Sequence, residues 1–118
     1  MNFMEAVKAC FAKYADFNGR ARLSEYWWFQ LFFILVYLVL IAGQATGMGL
    51  FTYVGGISVL ALLVPALAVG SRRLHDTGKS GWYQLIGIIP ILGGLVMIYF
   101  FVQSGEAGDN MYGAPPAI

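Results

Sequence analysis

Apolar side chains follow helical spacing from the start of the chain and divide it into four apolar segments. In the first, residues 3–17, large apolar side chains recur every three or four residues, and the charged ones lie off that stripe. Asn2 and Glu5 have the spacing of a capping box, and Asn18-Gly19 is a stop signal. This pattern predicts an amphipathic helix that lies at the membrane interface, packs against the other helices, or does both.

The other three segments are long enough to cross a bilayer, which takes about 20 residues. We predict spanning helices over about 26–45, 50–70 and 82–102, followed by an irregular Gly- and Pro-rich tail over 103–118. At about 1.5 Å per residue, residues 82–102 would form a helix of about 31 Å, although Pro90 and Gly93-Gly94 interrupt it. We favour one kinked span there and keep a re-entrant hairpin as the alternative.

Composition agrees with a membrane environment. Hydrophobic residues make up 59% of the chain and charged residues 11%, whereas soluble domains carry roughly 25% charged residues. The predicted fold is therefore an all-α integral membrane protein: one domain over 1–118, with three transmembrane helices preceded by an amphipathic interfacial helix. The net charge of +1 gives no indication of a nucleic-acid partner, and we predict none. The single Cys10 excludes an internal disulfide.

The basic residues predict an orientation, because Lys and Arg concentrate in cytoplasmic loops. All seven precede the first predicted span or lie between the second and third: Lys8, Lys13, Arg20, Arg22, Arg72, Arg73 and Lys79. This places the N-terminus in the cytoplasm of a multi-pass plasma-membrane protein. With three crossings the tail would lie outside, whereas a re-entrant third segment would return it to the cytoplasm.

The stretch "RRLHDTGKSGW", residues 72–82, resembles the end of a nucleotide-binding loop, but that motif needs glycine where Arg73 stands. We therefore predict no nucleotide. One histidine with Asp76 and Glu25 offers too few ligands for a metal site. We predict no cofactor and no catalytic residue, since no nucleophile is evidently paired with His75 and adjacent helix positions point about 100° apart.

Local spacing favours a structured turn at this point. Arg72 and Asp76 are four residues apart and can pair, as can Arg22 and Glu25 three apart. Gly78 is a candidate residue to end the second span. Ser24 and Ser80 are candidate caps for the helices that follow them.

These groups also form a candidate cluster at one depth, on the side of the N-terminus. Such a cluster could hold an anionic lipid headgroup or a small anion, because arginine binds phosphate through two hydrogen bonds. The candidate residues are Arg20, Arg22, Glu25, Arg72, Arg73, His75, Asp76 and Lys79.

Taken together, several short motifs resemble the bacterial inner-membrane family called domain of unknown function 805. The resemblance covers nearly the whole chain and departs from the family pattern at Tyr83 and Ala114. It implies a small multi-span protein of the bacterial plasma membrane and no established activity. The motifs are Phe17-Asn18-Gly19-Arg20-Ala21, Glu25-Tyr26-Trp27, Arg72-Arg73-Leu74-His75-Asp76-Thr77-Gly78, Ser80-Gly81-Trp82, Pro90, Gly108, Asn110, Tyr112 and Gly113.

Three functions fit this description. The first is a non-catalytic membrane subunit that self-associates or binds a larger membrane partner, because glycines in the spans permit close helix packing. The second is an oligomeric channel or carrier lined by Gln44, Thr46, Ser58 or Gln84. The third is binding of a membrane lipid through an anionic headgroup, or of a small anion, at the candidate cluster. We favour the first.

Overall fold

The computed structural model describes residues 1–116. Within that range the regular secondary structure is helical, and the residues after the last helix form an irregular tail. The helices are α1 (Phe3–Ala12), α2 (Leu23–Gln44), α3 (Leu50–Asp76), a 3-10 helix (Gly81–Ile88) and α4 (Leu92–Val102). Residues 117 and 118, the end of the predicted tail, lie outside the described residues.

The predicted capping box begins α1. Asn2 Oδ1 accepts from the Glu5 backbone N–H at 2.8 Å, and the Asn2 N–H donates to Glu5 Oε1 at 3.2 Å. The helix ends at Ala12, five residues earlier than predicted. The turn that follows lets Tyr14 donate its hydroxyl hydrogen to the Ala61 carbonyl of α3. That carbonyl has no helical partner because Pro65, four residues later, lacks an N–H.

The two longest helices are also the two that could span a membrane. At about 1.5 Å per residue, α2 is about 33 Å long and α3 about 40 Å long, against a hydrocarbon core of about 30 Å. Both have the apolar composition that crossing requires. The helix α2 begins at Leu23 with Arg22 as its cap, so the prediction that Ser24 caps it is wrong. As expected, α3 continues through the arginines to Asp76.

The third apolar segment differs from the predicted kinked span. It breaks at Ile91, whose φ of 63° is rare for a branched side chain, and the 3-10 helix and α4 fold back on each other. The rings of Tyr83 and Phe100 have centroids 5.9 Å apart across this hairpin. A Cβ at Gly93 would overlap the Ile86 carbonyl oxygen, so glycine permits the close approach.

Each arm of the hairpin is about 16 Å long, at about 2.0 Å per residue for the 3-10 helix and 1.5 Å for α4, half the hydrocarbon thickness. The tail therefore returns to the end of the molecule that holds residues 72–76, where the Glu106 N–H donates to the Asp76 carbonyl at 2.7 Å. The favoured three-crossing prediction placed the tail at the opposite end of the molecule, whereas the structure brings it to the same end as residues 72–76.

The core lies where α1, the first turns of α2, the second half of α3 and α4 meet. Cys10, Phe29 and Val69 are fully buried there. Tyr26 stacks on Phe101 with ring centroids 4.2 Å apart. Two residues of α1, Ala6 and Cys10, are buried in this core, so α1 packs against the other helices. The apolar faces of α2 and α3 that lie beyond the core remain exposed.

Candidate functional site

Asp76 is the centre of a buried charge cluster at the core end of the molecule. Its Oδ1 accepts from Arg20 Nε at 2.8 Å, and its Oδ2 accepts from Arg73 Nη1 at 2.5 Å. The side chains of both arginines are 1% exposed and that of Asp76 is 6% exposed. One carboxylate therefore joins the segment before α2 to the last turn of α3, using one oxygen for each.

Arg20 extends this cluster to the tail. Its Nη1 donates to the carbonyls of Gly108 at 2.8 Å and Gly113 at 3.1 Å, and its Nη2 donates to those of Glu106 at 2.6 Å and Asp76 at 3.3 Å. Arg73 Nη2 likewise donates to the Gln103 carbonyl. The planar guanidinium, with five donors, suits this gathering of backbone oxygens.

A second ion pair lies beside the first. Arg72 Nη1 donates to Glu25 Oε2 at 2.5 Å, and Arg72 Nε donates to the Asp16 carbonyl at 3.1 Å. The Cys10 thiol lies 3.8 Å from the same Glu25 oxygen. Burial, and then the Glu25 carboxylate, raise the pKa of Cys10 to about 12, so this residue remains an unreactive thiol at neutral pH.

The observed pairing corrects two predictions from local spacing. Glu25 pairs with Arg72 on α3 instead of with Arg22, and Asp76 pairs with Arg73 and Arg20 instead of with Arg72. The reason is tertiary: the start of α2 and the end of α3 pack together, and a buried carboxylate needs a buried partner. Gly78 does take the left-handed conformation, with φ 78°, and the Ser80 side chain caps the 3-10 helix through the Trp82 N–H.

His75 faces away from the ion pairs. Its Nδ1 lies 2.9 Å from the Gly19 carbonyl oxygen, which can only accept, so Nδ1 carries the hydrogen. Tyr112 stacks flat on the imidazole, with centroids 3.8 Å apart and planes 1° apart. Asn110 Nδ2 donates to the His75 carbonyl at 2.9 Å. The histidine therefore holds the tail by its ring face and its backbone.

Two of the eight candidate residues lie outside the buried cluster. Arg22 is half-buried at the start of α2, and the Lys79 ammonium lies 5.2 Å from the centre of the Phe100 ring. The tail residues that complete the cluster were not among the candidates. The only pattern that pointed to them was the motif resemblance around Gly108, Asn110, Tyr112 and Gly113.

The arrangement is suited to holding the chain together. Three guanidinium groups face two carboxylates, and backbone carbonyls accept most of the remaining donors; Arg72 Nη2 and Arg73 Nε have no hydrogen-bond partner in the part that the structure describes. Within residues 1–116 no three potential metal ligands come together. Glu25 and Asp76 are both engaged by arginines, so neither is placed as a free base.

A helical fold with two apolar helices long enough to cross a membrane, joined at one end by buried ion pairs, agrees with a small integral membrane protein. The model of the family described as protein of unknown function (DUF805) matches residues 14–114, and the chain belongs to this family of bacterial inner membrane proteins. The resemblance of its motifs to that family is thereby confirmed.

The relatives are alike in length as well as sequence. Inner membrane protein YhaI of Escherichia coli strain K12 is 40% identical over 104 residues, which cover 87% of each chain. Inner membrane protein YhaH of the same strain is 41% identical over 112 residues, covering 89% of this chain and 90% of the relative. No solved structure matches the chain.

Proposed function

We propose that this protein is a non-catalytic inner-membrane subunit that self-associates through the groove between α2 and α3. The observation that carries this proposal is the groove itself, an open cleft of about 490 Å³ at the end of the helices remote from the charge cluster. The buried acids and arginines are engaged in joining segments of the chain. The exposed surface of the two long helices is what remains for a partner.

The groove has the features of a membrane helix contact. Gly55 and Gly56 lie on its α3 side, and a Cβ added to Gly56 would meet no atom within 4 Å. Small residues at such a position let a second helix approach closely, which is how membrane helices associate without a hydrophobic driving force. Gln44, Thr52 and the hydroxyl-bearing Tyr37 add polar groups to an otherwise apolar lining.

A second copy of the chain fits this groove chemically. A two-fold contact uses the same patch on both copies, and only the residues at its axis meet their own counterparts. The groups at the centre of the contact must therefore be self-complementary. The Gln44 amide and the Thr52 hydroxyl both donate and accept hydrogen bonds. No charged side chain lines the groove, so two copies would meet without repulsion between like charges.

Cysteine cross-linking in the native membrane tests self-association. In a Cys10→Ser background, we expect Gly56→Cys to give a covalent dimer with a short bifunctional maleimide. Val54→Cys is the matched control, since two residues place it at the same depth about 200° around the helix, on an exposed position outside the groove. Equal cross-linking at the two positions, or none at either, would refute the proposal.

We also propose that α2 and α3 are the only crossings and that both ends of the described chain are cytoplasmic. This is supported by the seven basic residues, all near one end of the helices. The hydrogen bonds from Arg20 and Arg73 to tail carbonyls support it as well. The 3-10 helix and α4 would then enter the bilayer from the cytoplasmic side and return.

Sidedness of the tail is measured by labelling. In the Cys10→Ser background, we expect an exposed Ser104→Cys to be protected from a membrane-impermeant maleimide on intact cells and labelled once the membrane is opened. Met48→Cys, in the exposed connection between α2 and α3, is the control and should label in intact cells. Labelling of Ser104→Cys in intact cells would instead establish a third crossing.

A further inference from the structure

A second cavity, distinct from the α2–α3 groove, lies between the last third of α3 and the 3-10 helix. It has a volume of about 380 Å³, within the roughly 300–1,000 Å³ of small-molecule sites. Its lining changes along its length: Leu67 and Leu85 lie on the side of the membrane helices, and Ser71 and His75 lie on the side of the charge cluster. The cavity is thus apolar toward the bilayer and polar toward the headgroup region.

The polar lining carries no charged side chain. The side chains with polar groups are those of Ser71, Ser80, His75 and Gln84, together with the indole of Trp82. The arginines and carboxylates close by are buried against one another and do not line it. Moving a charged group out of water into such a site would be costly without a counter-charge, so the lining favours an uncharged ligand.

Ser71 offers the cavity a hydroxyl at its polar end. Ser71 is 7% exposed and lines the cavity, and its hydroxyl is not among the fully buried side-chain atoms that lack a partner. The hydroxyl is therefore accessible from the cavity, where it can donate a hydrogen bond to a ligand. A Cβ on Gly81 would overlap this oxygen, so the glycine of the "KSGW" turn is what leaves room beside it.

The hydrogen bonds of His75 and Gln84 within the protein determine which of their polar atoms remain for a ligand. Because His75 Nδ1 donates to the Gly19 carbonyl, Nε2 of the neutral ring is an acceptor. Gln84 is held in the wall by its amide, which donates to the Leu67 carbonyl at 3.2 Å. The cavity therefore presents the accessible Ser71 hydroxyl and one imidazole acceptor, which together suit a ligand with a carbonyl and a hydroxyl.

We propose that this cavity binds the head of an uncharged, hydroxyl-bearing glycerolipid, of the diacylglycerol class. The lipid hydroxyl would donate to His75 Nε2, and an ester carbonyl would accept from the Ser71 hydroxyl. The acyl chains would leave past Leu67 and Leu85, both of which are partly exposed on the apolar side. This site does not depend on self-association through the α2–α3 groove.

Photolabelling in vesicles tests the proposal. The full chain is reconstituted in phosphatidylcholine with a diazirine- and alkyne-bearing diacylglycerol, and labelling is read by in-gel fluorescence after irradiation. We expect Leu67→Trp, which fills the cavity, to reduce labelling to the level of a vesicle protein without a site. Leu63→Trp is the matched control, since Leu63 is similarly exposed one turn deeper on α3 and lies outside the cavity; it should label as the wild type does.

Ser71→Ala keeps the proposal testable should the larger substitution disturb folding, since it removes a hydroxyl without breaking a hydrogen bond in the protein. We expect its labelling to fall roughly three- to tenfold, the loss of one net hydrogen bond. Equal labelling of Leu67→Trp and Leu63→Trp, or an unchanged Ser71→Ala, would overturn the proposal.

Competition identifies the chemical class. Unlabelled dioctanoylglycerol should displace the probe, whereas the same lipid with a phosphate head, dioctanoyl phosphatidic acid, should not. Displacement by both equally would refute selection for an uncharged head. Displacement by ubiquinol, which is uncharged and hydroxyl-bearing, with none by dioctanoylglycerol would refute the glycerolipid.

Discussion

Replacing Asp76 with Asn should lower the free energy of unfolding by about 3–5 kcal/mol, the usual cost of breaking a buried ion pair by removing one partner. The substitution preserves shape but leaves Arg20 and Arg73 without a counter-charge. The amide also cannot satisfy both, because Oδ1 and Oδ2 each accept from an arginine. Whichever way the amide is turned, its NH₂ group faces a guanidinium donor.

The measurement is the temperature at which half of the detergent-solubilised protein is lost from the monodisperse peak on size exclusion. Asp109→Asn is the control, since it removes the same charge from an exposed tail position and should leave that temperature unchanged. Equal temperatures for the Asp76 and Asp109 variants would contradict the role assigned to the cluster.

Replacing Arg20 with Lys should release the tail while leaving the membrane helices assembled. The guanidinium reaches one carboxylate oxygen and four carbonyls at once, whereas an ammonium has three donors at a single point. We expect cleavage by a glutamate-specific protease at Glu106 to accelerate at least about tenfold. Losing one charge-assisted hydrogen bond costs about 1.5–3 kcal/mol, and 1.4 kcal/mol is tenfold.

Arg22→Lys is the control for this second effect, because Arg22 is half-buried and lies outside the cluster. Its cleavage rate should equal that of the wild type. Unchanged cleavage in Arg20→Lys would show that the tail is held by other contacts, above all the stacking of Tyr112 on His75.

The features that sequence predicted well depend on neighbours along the chain. The capping box of Asn2 and Glu5 and the left-handed Gly78 are set within four residues, and both were predicted from residue type and spacing alone. The two long helices follow from apolar length. Their ends were less accurate where a distant group intervenes: α1 ends at Ala12 because the next turn brings Tyr14 to the Ala61 carbonyl.

The candidate site could be predicted only in part, because helical spacing can propose pairs within one helix and nothing beyond it. It therefore matched Arg22 with Glu25 and missed the pairing of Glu25 with Arg72, 47 positions away. Hydropathy also cannot distinguish one long crossing from two short arms. The reversal at Ile91 depends on the missing Cβ of Gly93 beside the Ile86 carbonyl, a contact that becomes visible only in three dimensions.

The five acceptors around Arg20 also impose an order on how the protein is made. Arg20 leaves the ribosome before either long helix, whereas the carbonyls of Glu106, Gly108 and Gly113 follow the last helix. Until these carbonyls emerge, the guanidinium must remain hydrated at the membrane surface, since burying it without partners is costly. The end of the molecule that holds the charge cluster thus closes only after translation has passed residue 113, and a chain that stops earlier leaves the Arg20 guanidinium without these three acceptors.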